Sequence, residues 1–192
     1  AASIPIINAL TDLEHPCQAL ADYLTMQEAF GSLEGLTMAY VGDGNNVAHS
    51  LLIAGAQLGV NVRIGCPAGF HPDPLVVAQA RTLAGERCRM EVVEDPAFAV
   101  AGAQAVYTDV WASMGQEQEQ SEREQAFKGF CLDEALMARA DPAAIVLHCL
   151  PAHRGEEISE AVLEGASSRI FDQAENRLHA QQALLAVLMG GL

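Results

Sequence analysis

The chain has 192 residues, enough for one substantial hydrophobic core or a core with an appendage. Acidic residues outnumber basic ones by 25 to 10, the net charge is −15, and the one lysine is Lys128. That balance argues against nucleic acid or an anionic membrane as a partner, since both demand a Lys/Arg-rich surface.

In chain order, "IPIINAL" reads as a short strand, and "HPCQALADYLTMQEAFG" as a helix with Pro16 in its first turn and Gly31 as its stop. After Gly35 short apolar runs alternate with amphipathic stretches. "LTMAYV", "NVRIG", "RMEVVE", "QAVYTDV" and "AIVLHC" read as five strands. Between them, "VAHSLLIAGAQLG", "DPLVVAQARTLAG", "PAFAVAGA" and an acidic, glutamine-rich region (116–125) read as helical, and "FDQAENRLHAQQALLAVLMGGL" closes the chain as a helix. Strands that are continuous Val/Ile/Leu-rich runs, alternating with helices, predict an α/β fold. The expected form is a Rossmann-like parallel five-stranded sheet with helices on both faces, in the order 3-2-1-4-5.

Five cysteines (Cys17, Cys66, Cys88, Cys131, Cys149) are odd in number and form no C-x-x-C pair, which suits reduced thiols in a cytoplasm. No signal peptide and no apolar stretch of membrane-spanning length is evident, so a soluble cytoplasmic protein is expected.

Ligands of open parallel sheets bind beyond the carboxyl ends of the strands, near the point where strand order reverses. Three strand ends carry conspicuous polar sequence: "GDGNN" (42–46), "DVWASMG" (109–115) and "HCLP" (148–151). In the order 3-2-1-4-5 they share one crevice. A dinucleotide reading of "GDGNNV" fails twice. Val47 replaces the third glycine, and Gly65, Cys66 and Pro67 stand where an acidic residue belongs. Asn45 and Asn46 offer donors and acceptors, which suits a zwitterion better than a phosphate.

"HCLPAHRGEE" (148–157) holds two histidines, a cysteine and two carboxylates. A metal site through His148, Cys149 and His153 matches no common zinc spacing, and no metal is expected. His148 and Cys149 are neighbours on a strand and point to opposite faces. Taken alone, the decapeptide leaves a buried structural cysteine and a functional one both open.

"HPCQ", "GDGNN", "DVWASMG", "HCLPAHRGEE" and "FDQAENR" occur in the order found in ornithine carbamoyltransferases, and the chain resembles that family along essentially its whole length. The resemblance implies transfer of the carbamoyl group of carbamoyl phosphate to L-ornithine, giving L-citrulline and phosphate without a cofactor. It places His15, Gln18, Cys149, Leu150 and Arg177 at carbamoyl phosphate. It places Asn46, Asp109, Ser113 and Met114 at ornithine, with Cys149 and Asp109 at the reaction centre. Asp109 suits an ammonium, Asn46 and Ser113 the amino-acid end, and Met114 acts through packing or its backbone. His15, with arginine donors, is expected to stabilise the oxyanion. Closure of the "SMG" loop is expected to exclude water, a function that deletion of residues 116–121 would disturb.

The family's Ser-x-Arg-Thr-Arg phosphate loop does not occur, and the nearest fragment, Arg81-Thr82, lies within a predicted helix. The resemblance therefore divides the chain into 1–31, a carboxy-terminal remnant of the carbamoyl-phosphate domain, 32–173, the ornithine domain, and 174–192, a helix that packs toward that first domain. It implies exposed apolar surface on residues 1–31 and around Leu178, Leu185 and Met189. It also implies negligible turnover by this chain alone, and a trimer-based parent enzyme of arginine biosynthesis whose trimerisation does not carry over. A non-catalytic ornithine-binding domain is the alternative.

Overall fold

The computed structural model describes residues 4–111 and 120–190. Five parallel strands, β1 (Thr37–Val41), β2 (Asn61–Gly65), β3 (Met90–Val93), β4 (Ala105–Thr108) and β5 (Ile145–His148), form one sheet in the order β3-β2-β1-β4-β5. Strand order reverses between β1 and β4, which pair in register from Met38↔Ala105 to Val41↔Thr108. The expected Rossmann-like topology is present.

Alternation along β1 divides the core. Met38 and Tyr40 face the layer of α1 (Pro16–Phe30), α2 (Asn46–Leu58) and α3 (Pro74–Ala84), with Tyr23, Met26, Leu51, Leu52 and Val77. Ala39 and Val41 face the opposite layer of α4 (Pro96–Val100), α5 (Gln120–Ala126), α6 (Glu134–Met137) and α7 (Glu160–Leu163), with Val100, Phe127, Leu136 and Val162. Both faces are thereby covered, as continuous apolar strands require. The last helix, α8 (Ile170–Leu188), lies along α1, and Asn176 Nδ2 donates to Thr25 Oγ1 (3.0 Å) and Glu28 Oε2 (2.7 Å).

One expected element is corrected. Residues 4–10 carry no strand; Ile4, Ile6 and Leu10 are exposed, and no described strand lies beside them to supply a hydrogen-bond ladder. The short helices α6 and α7 were not anticipated; at four residues each they are too brief for a helical period to show. No helix among the described residues is long and apolar enough to cross a membrane.

Candidate active site

The carboxyl ends of β1, β4 and β5 lie side by side, with the reversal of strand order between β1 and β4, the place where sheets of this order form a ligand crevice. β1 ends in "GDGNN". Gly44 is required there by packing, because a Cβ at that position would lie 2.2 Å from the Pro72 nitrogen. Its N–H donates to the Phe70 carbonyl (2.9 Å), so the loop is fastened to backbone and does not present itself to a phosphate. Asp43 Oδ2 accepts from Arg123 Nη1 at 2.6 Å, and that guanidinium also donates to the Trp111 carbonyl (2.7 Å) and lies over the Phe70 ring. The pair ties α5 to the end of β1. Burial raises the Asp43 carboxyl, an effect opposed by Arg123.

Asn45 caps α2, its Oδ1 accepting from the backbone N–H groups of Val47 and Ala48. Its Nδ2 reaches across the crevice to Asp109 Oδ2, 2.9 Å away at the end of β4. The other oxygen of Asp109 accepts from the Cys149 thiol (3.0 Å) and from Val110 N–H (2.8 Å). Cys149 and Asp109, which the family resemblance implies at the reaction centre, are thus in contact. Burial first, and then the Asp109 charge, pushes the Cys149 thiol well above its ordinary range. It is a proton donor to the carboxylate, the opposite of an activated thiolate.

His148, one residue earlier, turns the other way and is buried. Its Nδ1 accepts from Leu150 N–H (2.9 Å), which leaves the proton on Nε2, and Nε2 donates to the fully buried Glu157 (3.0 Å). Glu157 also accepts from His153 N–H. Ligand atoms of Asp109, His148 and Cys149 lie within 4.8 Å of one another, yet both ring nitrogens are committed and the thiol stays protonated, so this set does not fit a resident metal. The histidine instead folds the chain after β5, where Leu150 adopts φ 60° and leads into a cis bond to Pro151.

The α1–α8 side supplies a second group. Gln18 Oε1 accepts from Arg177 Nη1 (2.6 Å), and Gln18 Nε2 donates to Asp22 Oδ1 (2.8 Å). Gln173 Nε2 donates to the same Asp22 oxygen (2.6 Å) and to the Tyr107 hydroxyl (3.2 Å), while its Oε1 accepts from His148 N–H (2.8 Å). Burial raises the Asp22 carboxyl from 3.8 to about 7, an effect opposed by the amides of Gln18 and Gln173, the Tyr107 hydroxyl and Arg177. His15 is the N-cap residue of α1 without capping it through its side chain. Its Nδ1 meets the Ala9 carbonyl at 2.9 Å, and burial, with the Arg177 charge, lowers its pKa.

The structure therefore brings together Cys149 with Asp109, and Gln18 with Arg177, and sets His15 within the electrostatic reach of Arg177 and Asp109. Leu150 follows the cysteine, half turned to solvent. Asn46 Nδ2 is occupied by the Thr11 carbonyl (2.7 Å). Ser113 and Met114 lie outside the described residues, as does most of the segment expected to close. The roles of Asp22, Tyr107 and Gln173 were not anticipated. The available signal was helical spacing: Gln18/Asp22 and Gln173/Arg177 are both i,i+4 pairs on otherwise mixed faces.

Comparison with known proteins agrees with this architecture. Residues 34–188 match the model of the aspartate/ornithine carbamoyltransferase Asp/Orn binding domain, and residues 1–28 match that of the carbamoyl-P binding domain. The chain is 74% identical over 191 residues to an ornithine carbamoyltransferase of Prochlorococcus marinus and 75% identical to one of Parasynechococcus marenigrum. In each case all of this chain and 60% of the relative are covered. Among solved structures, the ornithine carbamoyltransferase of Gloeobacter violaceus is 54% identical (TM-score 0.91; 97% of this chain, 63% of that one). That of Pyrococcus furiosus is 51% identical (TM-score 0.95; 100% and 61%). The chain thus spans about 60% of the length of the relatives it matches. It belongs to the aspartate/ornithine carbamoyltransferase family.

Proposed function

We propose that the chain carries the ornithine-binding side of an ornithine carbamoyltransferase, which transfers the carbamoyl group of carbamoyl phosphate to the side-chain amine of L-ornithine. The observation that carries this reading is the Cys149–Asp109 pair, 3.0 Å apart at the ends of β5 and β4, linked to the Gln18–Arg177 pair of α1 and α8 through Asp22, Gln173 and the backbone of His148. The names of the similar proteins support it.

The amine resembles that of lysine, with a pKa near 10.4, so exposing its lone pair at neutral pH costs roughly 4–5 kcal/mol. Asp109 holds the ammonium and orients it, and Cys149, as a neutral thiol, donates to Asp109 without competing for the amine proton. The ammonium first gives up one proton to solvent, its nitrogen attacks the carbamoyl carbon, the carbon–oxygen bond to phosphate breaks, and the departing phosphate takes the second amine proton. Ser113, Met114 and Asn46 complete the amino-acid side in this reading.

The carbonyl oxygen facing His15 Nδ1 can only accept, so Nδ1 carries the ring proton. A neutral His15 then presents Nε2 as an acceptor, the polarity for a carbamoyl NH2 rather than for an oxyanion. In this reading His15 meets the carbamoyl amide, where the resemblance implied the oxyanion. Stabilisation of that charge falls to Arg177, oriented through Gln18. The cytoplasm and arginine biosynthesis are proposed as the setting. Five free thiols suit that compartment.

Calorimetry with L-ornithine and L-norvaline, which lacks the amine, tests the assignment of Asp109. Asp109→Asn is expected to weaken L-ornithine about tenfold, the worth of one charge-assisted contact, and to leave L-norvaline unchanged. An L-ornithine affinity indifferent to this substitution would contradict the reading.

A further inference from the structure

Asn45 does two jobs with the two ends of one amide. Its Oδ1 is surrounded by donors: Val47 N–H at 3.0 Å, Ala48 N–H at 3.2 Å and the Tyr40 hydroxyl at 3.3 Å. Those contacts leave no choice about which end is oxygen, so Nδ2 must be the atom 2.9 Å from Asp109 Oδ2. Serine, threonine, aspartate and asparagine all cap helices well, but among them asparagine alone caps with an oxygen and still offers an N–H beyond the cap. The helix end therefore explains an oxygen at position 45, and only Asp109 explains the nitrogen.

Asp109 has about four lone-pair positions. Cys149 and Val110 occupy those of Oδ1, and Asn45 occupies one on Oδ2. Among the described residues, one acceptor position on Oδ2 remains for a ligand. We propose that Asn45 is a positioning residue for amine recognition: by holding Asp109 Oδ2 it fixes the rotation of the carboxylate and directs its remaining lone pair to the ornithine ammonium. This inference rests on the ornithine reading above and deepens it.

Position 45 lies in a charged setting. Asp43 precedes it with its partner Arg123 on α5, Tyr107 stands on β4 and Asp109 just after it, Tyr40 on β1, Cys149 after β5, and His15 at the start of α1. An aspartate here keeps the cap and sets a second carboxylate against Asp109, and a serine keeps the cap with a shorter hydroxyl and removes the amide N–H that reaches Asp109.

The test is an NMR titration of the 192-residue chain and of N45D and N45S with L-ornithine and L-norvaline, alongside thermal unfolding. Both variants are expected to lose about tenfold in affinity for L-ornithine and less than about twofold for L-norvaline. Their unfolding midpoints are expected to stay within about 3 °C, since the cap survives. A purely structural role would weaken both ligands together, and that result overturns the inference. Wild-type affinity for L-ornithine in N45D overturns it as well, leaving the proposed function standing. A wild-type chain indifferent to L-ornithine overturns both.

Discussion

Asp22 has no exposed surface, and its Oδ2 has no hydrogen-bond partner among the described residues while Oδ1 accepts two amide groups. A carboxyl held at about 7 when folded, against 3.8 ordinarily, binds a proton in the native state that the unfolded chain has released. The native state therefore holds the extra proton between about pH 4 and pH 7. The stability this contributes is present below the lower value and lost as pH rises through the upper one, at up to about 1.4 kcal/mol per pH unit. Asp22→Asn puts an amide where the protonated oxygen stood and is expected to flatten that slope. Urea unfolding measured from pH 4 to 8 checks it; an unchanged slope would mean that Asp22 does not titrate in this range. The sequence exposed Asp22 only as a polar residue one turn from Gln18. Its partners Gln173 and Tyr107 lie on α8 and β4, and the tertiary fold that joins them has no local signature. The strand ends that carry Cys149 and Asp109 were legible as neighbours from the sheet order, while the roles of the two residues came only from the family resemblance. That Cys149 serves as a thiol donor was not legible, since it follows from burial.

At the scale of elements, the five strands and the long helices follow from apolar runs and helix stops. Gly31 and Gly59 end α1 and α2 in left-handed conformations, as their places in the sequence predict. The apolar run at residues 4–10 misled because alternation and β propensity describe a surface to be covered, whereas a strand also needs a neighbour. The need for glycine at position 44 was not legible in the sequence, because it comes from a segment distant in the chain. Backbone atoms of His71 and Pro72, 2.5 and 2.2 Å from its absent Cβ, leave no room for a methyl group. Gly44→Ala must displace the loop at 70–72 or the end of β1, so we expect a cost of about 2 kcal/mol, the magnitude of an overpacked core. For a chain of this size that corresponds to a midpoint lowered by roughly 4–8 °C. Differential scanning calorimetry decides it; an unaltered midpoint would show that the close approach relaxes freely.

For the whole molecule, a net charge of −15 sits with a crevice whose cations, Arg123 and Arg177, are already joined to Asp43 and Gln18. Arg177 keeps donors beyond those given to Gln18 and Gln181, but the two relatives named above are longer than this chain, which covers 60% of each. Exposed apolar side chains cluster at Ile4, Ile6, Leu10 and Leu13 and along α8 at Phe171, Leu178, Leu185 and Met189. Both clusters flank α1 and α8, the side that holds Gln18 and Arg177, which is where a carbamoyl-phosphate domain would adjoin in the proposed reading. The most direct test of carbamoyl transfer is citrulline formation by residues 1–192 joined to the carbamoyl-phosphate-binding segment of the Prochlorococcus marinus relative, with Cys149→Ala alongside. Citrulline from the joined chain, reduced at least about tenfold by the substitution, is the predicted result. No citrulline, or citrulline indifferent to the loss of Cys149, would contradict it.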